Sequence, residues 1–341
     1  MVTSICKEIE LKRGYLNHQK IESVYFGGGT PSVLAVQEID SILSALKKHF
    51  DFNTKIEITL EVNPDDVNSQ KLTEWLALGI NRLSIGLQSF NDDELNWMKR
   101  AHDSQQSISS VKLAQDKGLS NITIDLIYGS KFQSQKSWEQ TLLKAIALNT
   151  QHVSSYNLTI EKKTELGHKY EKGTEPPVND ELSSAQFLLM IDALSDADFI
   201  HYEISNFGKD GFFAIHNSNY WLGKHYLGLG PSAHSYNGAT RSWNISNNNQ
   251  YIASVKNGIP FTQTEELLLN DRYNEYVLTR LRTIWGCDVN EIESLFGKDV
   301  RDQFLKQIQV KQNFIQKSGS NYTLNRNGKL QADGIAASLF L

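Results

Sequence analysis

Val24-Tyr25-Phe26-Gly27-Gly28-Gly29-Thr30-Pro31-Ser32 decides the fold. A β-branched and aromatic run feeds directly into a row of glycines, so a strand ends in bare main chain that a ligand can approach closely. Thr30 suits the cap, and Pro31 the first turn, of a helix that follows. Outward from this point the same alternation repeats. Short β-branched or aromatic runs at 23–26, 56–62, 82–87, 122–127, 153–158 and 200–204 read as strands.

The intervals carry helical periodicity. A first helix covers 5–16. Ile39, Ile42, Leu43 and Leu46 then make one apolar face ending near Phe50. Leu72, Trp75, Leu76 and Leu78 make the next, closed by Gly79, and Ile108, Val111, Leu113 and Ala114 another, closed by Gly118. Trp138, Leu142, Ala145 and Ile146 follow. Strands alternating with helices of this length pair in parallel through right-handed crossovers. Without a Rossmann-type phosphate fingerprint, the series predicts an α/β fold built as a partial (β/α) barrel, with an open doubly wound sheet as the alternative.

Function in such folds gathers where parallel strands end. Those ends carry Gly27 to Thr30, Glu61 and Asn63, Gln88 and Ser89, Asp125, Asn157 and Thr159, and Glu203. An acidic or amide side chain inside an apolar strand is costly unless satisfied. Its recurrence at equivalent positions predicts one lined pocket.

The 341 residues, 40% hydrophobic and 21% charged, describe an ordinary globular protein. A net charge of −5 gives no attraction to nucleic acid. The sequence has no apolar run of about 18 residues, as a membrane span needs, and Met1 to Glu8 lacks a secretory layout, so the expected location is cytoplasmic. The two cysteines, Cys6 and Cys287, allow neither a disulfide framework nor an all-cysteine metal site, and read as small buried hydrophobes.

After the barrel (1–205) the pattern changes. A connecting segment, 206–265, holds His216-Asn217-Ser218-Asn219-Tyr220-Trp221 and the Gly-rich Gly228 to Ser235, and its Asn-rich stretch 242–250 reads as loop. From 266 to 341 a helical tail presents Tyr273, Tyr276, Val277 and Leu281 on one face and Phe304, Leu305 and Ile308 on another. A short strand, Tyr322-Thr323-Leu324, and a last apolar stripe (Ile335, Ala336, Leu339, Phe340) complete a winged-helix-like accessory domain.

Together these segments resemble the radical S-adenosylmethionine proteins of the oxygen-independent coproporphyrinogen III oxidase group. The residues that carry the resemblance are Phe26 to Ser32, Glu61-Val62-Asn63-Pro64, Asn81 to Asn91, Arg100, Asp125-Leu126-Ile127-Tyr128-Gly129 and His216-Asn217-x-x-Tyr220-Trp221. The last of these makes the chain most similar to the haem-chaperone branch of the group. The resemblance implies S-adenosylmethionine lying across the carboxyl face of the partial barrel. Gly28, Gly29 and Thr30 would meet its methionyl end, and Glu61, Gln88, Arg100 and Asp125 would supply polar contacts. Carboxylates suit the ammonium and ribose hydroxyls, and an arginine suits the carboxylate. It also implies haem as a ligand near His216, Tyr220 and Trp221, and a haem-accepting protein as a partner.

Two departures stand out. The family opens with a strand and a Cys-x-x-x-Cys-x-x-Cys loop whose thiolates hold a [4Fe–4S] cluster. This chain begins after that segment, which predicts a barrel missing its first strand and leaving the edge of strand 23–26 unpaired. Cys6 and Cys287 cannot replace three thiolates, and without the cluster a radical step has no electron source. In addition, Gly129 is followed by Ser130 and Lys131 where the family commonly has Leu-Pro, which predicts a less constrained loop. Three functions stay open: a haem chaperone, a coproporphyrinogen-decarboxylating enzyme, and a metal-dependent barrel hydrolase using His201, Glu203, His216 and His234. An inert interaction scaffold is the bland fourth.

Overall fold

A computed structural model describes residues 1–341. A curled seven-stranded sheet has the order β1-β2-β3-β4-β5-β7-β6, formed by Ile21–Phe26, Phe52–Val62, Arg82–Gln88, Ile122–Tyr128, His152–Asn157, then Asn206–Gly208 and Ile200–Glu203. From β2 to β5 the pairing is parallel, so the expected half-barrel stands. β1 is an edge strand. The last unit differs from expectation. The run at 200–204 does not continue the parallel series, because the chain reverses after Glu203 and places β7, antiparallel, between β5 and β6.

The helices are α1 (Val2–Leu11), α2 (Val36–His49), α3 (Ser69–Leu78), α4 (Asp92–Trp97), α5 (Ser104–Asp116), α6 (Gln135–Ala147), α7 (Glu165–Glu171), α8 (Asp180–Asp196) and α9 (Ile215–Trp221). Their ends follow from local chemistry. Asn68 caps α3 by accepting from the Lys71 N–H, and Gly79 closes it at φ +94°, a conformation that costs glycine little. Asp103 and Gln106 form a reciprocal capping box on α5. α1 stops at Leu11, short of the expected 16, and Asn17 and His18 turn through positive φ beyond it. A single 3₁₀ turn, Pro31–Val33, stands where a helix was expected after the glycines, and α2 starts only at Val36.

Strand β3 is buried on both faces up to Gln88, as parallel strands covered by helices are. Trp75 of α3 and Trp138 of α6 are fully buried. Each contributes on the order of 2–3 kcal/mol of apolar burial.

The remaining elements are β8 (His234–Tyr236), β9 (Thr240–Asn244), α10 (Asn248–Asn257), β10 (Thr262–Glu266), α11 (Leu269–Leu281), β11 (Cys287–Asp288), α12 (Val289–Phe296), α13 (Lys298–Gln309), β12 (Ile315–Ser318), β13 (Asn321–Leu324), α14 (Arg326–Lys329) and α15 (Ala332–Ala337). The stretch 242–250, expected as loop, holds the end of β9 and the start of α10. Asn247 caps that helix by accepting from the Gln250 N–H. Two small antiparallel sheets, β10-β9-β8 and β11-β13-β12, lie in this half. The chain divides into two compact units, one of Met1–Val24, Leu34–Glu57 and Ile215–Leu341, the other of Tyr25–Val33 and Ile58–Ala214. No helix is long and apolar enough to cross a membrane.

Candidate functional site

In the unit of Tyr25–Val33 and Ile58–Ala214, the glycines after β1 have distinct duties. A Cβ on Gly27 would lie 2.5 Å from Tyr25 Cε1 and 2.7 Å from Glu61 Oε1, so this position is shut by packing. Gly28 has φ +80°, and a Cβ on it or on Gly29 would meet nothing within 4 Å. Their main chain therefore faces open space. Ser32 anchors the exit of the loop. Its hydroxyl donates to Asp66 at 2.7 Å, and Lys71 Nζ donates to its carbonyl at 3.1 Å. Thr30 is exposed, and its carbonyl accepts the Val33 N–H.

Glu61, near the end of β2, accepts a 2.7 Å hydrogen bond from the Tyr25 hydroxyl, and the Gly28 N–H also points to it. Burial nevertheless pushes the Glu61 carboxyl above its usual range. On β4, Asp125 accepts from Ser84 Oγ at 3.1 and 3.3 Å. Burial, opposed by that bond and reinforced by the negative Glu61, raises its pKa from 3.8 to about 6. Two desolvated carboxylates thus stand at the ends of β2 and β4, on either side of β3, close enough for the negative Glu61 to raise the Asp125 pKa.

Gln88 closes β3 with φ +66°, a left-handed conformation uncommon for a residue with a side chain, just beyond a slip in the β3–β4 register. Its amide and that of Asn63 both lie beside Gly86, where a Cβ would come within 2.8 Å of Gln88 Nε2. Arg100 sits past the end of α4, half-buried. Desolvation lowers its pKa, while Asp125 and Asp65 act on it as the nearest countercharges. The structure thus links Gly28 to Glu61, Glu61 to Asp125 and Asp125 to Arg100 by hydrogen bond or charge, with Gln88 on the strand between β2 and β4.

Other expected members do not join them. Glu203 is buried and accepts from its own turn, at the Ser205 N–H and the Asn206 amide, so its work is to fold the β6–β7 reversal. His201 stacks on Phe207 at 4.1 Å and bonds the Ile204 carbonyl. No three His, Cys, Asp or Glu side chains converge on a metal-binding geometry, which removes the support for a hydrolase centre. The loop after Asp125 is well tied despite its missing proline. Ser130 donates to the buried Glu94, Gln133 bridges Glu94 and the Ile127 carbonyl, and Lys131 pairs with Glu175 at 2.8 Å.

Sequence reasoning passed over Tyr25, Ser84 and Tyr156. Tyr25 and Ser84 read as strand filler, yet they hold Glu61 and Asp125. Tyr156, near the end of β5, presents an exposed ring whose hydroxyl lies in the field of the negative Asp125. Alternation along β1 and β3 was the available signal, since Tyr25 and Ser84 stand on the faces their partners share.

The His-Asn-x-x-Tyr-Trp motif lies in the other unit, on α9. His216 is half-buried, with Nδ1 3.2 Å from Ser23 Oγ. Tyr220, 42% exposed, meets the His216 ring edge-on at 5.0 Å and packs against Tyr226 at 4.3 Å. Trp221 lies under the Arg282 guanidinium, 6.0 Å from the ring centre. An imidazole beside exposed aromatic faces has the chemistry to hold a flat metallated macrocycle.

Comparison with known proteins bears on the family and the fold. Residues 7–145 match the radical SAM superfamily model. The chain is 31% identical over 318 residues to the haem chaperone HemW of Bacillus subtilis, covering 91% of this chain and 83% of that one. The haem chaperone HemW of Haemophilus influenzae gives 31% over 319 residues, 92% of this chain and 82% of the relative. Among solved structures, the coproporphyrinogen III oxidase HemN of Escherichia coli superposes with a TM-score of 0.84 at 22% identity, over 99% of this chain and 82% of that one. That likeness speaks for the fold.

Proposed function

Because the chain belongs to the HemW family of radical SAM proteins, we propose that it is a cytoplasmic haem chaperone that binds haem beside His216 and hands it to an acceptor protein. The observation that carries this is a likeness to HemW running through 91% of the chain. In this reading Tyr220 and Trp221 flank the macrocycle and His216 faces its iron. The segment 266–341 is a winged-helix-like module appended to them.

The strand-end residues suit S-adenosylmethionine. The open space beside Gly28 and Gly29 leaves room for its methionyl end, next to the exposed Thr30. Glu61 and Asp125 offer acceptors to an ammonium and to ribose hydroxyls, Gln88 an amide, and Arg100 a partner for a carboxylate. The bound molecule would supply a sulfonium nucleoside. A positive charge there would favour the ionised form of the two desolvated carboxylates and bring down the pKa values that burial raises. A [4Fe–4S] cluster is implied by the family, but this chain's Cys6 and Cys287 are too few for its thiolate set.

Anaerobic incubation with haemin and, separately, with coproporphyrinogen III separates this reading from the decarboxylase. Saturable haemin binding with coproporphyrinogen III recovered intact is expected. Decarboxylated porphyrinogen, or haemin that never saturates, overturns it.

A further inference from the structure

A seven-residue helix has little stability of its own, so the orientation of the α9 histidine must be imposed from outside. Its first N–H groups are taken by one buried carboxylate. Glu57 Oε2 accepts from Ile215 at 3.1 Å and Oε1 from His216 at 3.0 Å, where a negative charge also suits the helix dipole. Toward the other end, Glu22 accepts from Asn219 Nδ2 at 3.2 Å and from Lys224 Nζ at 2.6 Å. Between these, Ser23 Oγ stands 3.2 Å from His216 Nδ1. Consecutive residues of β1, with one residue of β2, therefore hold both ends of the motif helix and one nitrogen of its imidazole. None of the three belongs to the motif.

We propose that Ser23 and Glu57 are positioning residues for haem ligation by His216, an inference that rests on the haem reading above. A hydroxyl that accepts Nδ1–H selects one imidazole tautomer, limits ring rotation and raises the basicity of the ligand. Glu57 sets the rotation of the helix about its axis, and with it the direction from which the ring emerges. Ser23 then sets the ring. Partners of this kind change metal affinity by about 10–100-fold when removed.

The experiment titrates the full chain with haemin, reading the Soret band and the ferric electron paramagnetic resonance signal, for wild type, His216→Ala, Ser23→Thr, Ser23→Val and Glu57→Gln. Threonine and valine have the same shape, suit a β-strand equally and differ in the hydroxyl. Ser23→Thr is expected to match wild type. Ser23→Val is expected to bind about 10-fold more weakly, with a changed resonance signal and an unchanged far-ultraviolet dichroism spectrum. Glu57→Gln is expected to weaken binding in the same direction. If His216→Ala abolishes the signal while Ser23→Val and Glu57→Gln match wild type, the positioning role is overturned and the haem site stands. If His216→Ala itself matches wild type, the haem reading falls first. Should Ser23→Val fail to fold, Glu57→Gln decides, an unchanged midpoint and spectrum overturning the proposal.

Discussion

Replacing Asp125 with asparagine should make the protein more stable at neutral pH. The carboxyl has a pKa of about 6 in the folded chain against 3.8 in the absence of structure. At about 1.4 kcal/mol per tenfold change in proton affinity, that rise corresponds to about 3 kcal/mol. Between the two values the folded state holds a proton that the unfolded state has released. Wild-type stability therefore falls as pH climbs from about 4 to about 6, and the full cost is present above that. Below pH 4 the carboxyl is neutral in both states and the cost is absent. The Asp125→Asn variant keeps an oxygen to accept from Ser84 and never ionises, so it lacks this slope. Urea denaturation of both proteins from pH 4 to pH 8 should give curves that meet at the acid end. They should separate by about 3 kcal/mol at neutrality, with the variant above. Parallel curves, or a variant less stable at pH 7, would refute the assignment of Asp125 as a carboxylate whose desolvation outweighs its nearby cations.

Gly27→Ala should destabilise by about 1–3 kcal/mol, because the new methyl collides with the Tyr25 ring and Glu61, whereas Gly29→Ala, opening on empty space, should stay within about 0.5 kcal/mol of wild type; thermal melts of the two report the contrast. A thiol reagent applied to the native protein should modify Cys6 and spare Cys287, whose burial pushes its thiol pKa far up, and denaturant should release the second thiol. Equal rates at the two cysteines in native buffer would contradict the buried setting of Cys287.

The half-barrel was legible because its signals are local. Apolar runs, the positive-φ caps Gly79 and Gly118, and the periodic faces of α2, α3, α5 and α6 lie within a dozen residues of one another. The β6–β7 reversal was hidden, since no glycine or proline marks it: Glu203 makes the turn by binding Ser205 and Asn206 with its own carboxylate. β9 was hidden for a different reason. Its pairing with Thr262–Glu266 crosses α10, and an Asn-rich segment reads as loop until its partner strand is known. At the strand ends, Glu61, Gln88 and Asp125 were visible as polar residues in apolar strands. Tyr25 and Ser84, which satisfy two of them, carry no such anomaly and needed coordinates. The tying of the Ser130 loop to Glu94 likewise depends on a helix residue far off in sequence.

Haem difference spectroscopy on wild type and His216→Ala, side by side, decides whether this chain holds haem through the α9 histidine. One saturable Soret transition per wild-type chain, absent from the variant, is the predicted result. Superimposable titrations of the two proteins, or no saturation in either, would contradict it.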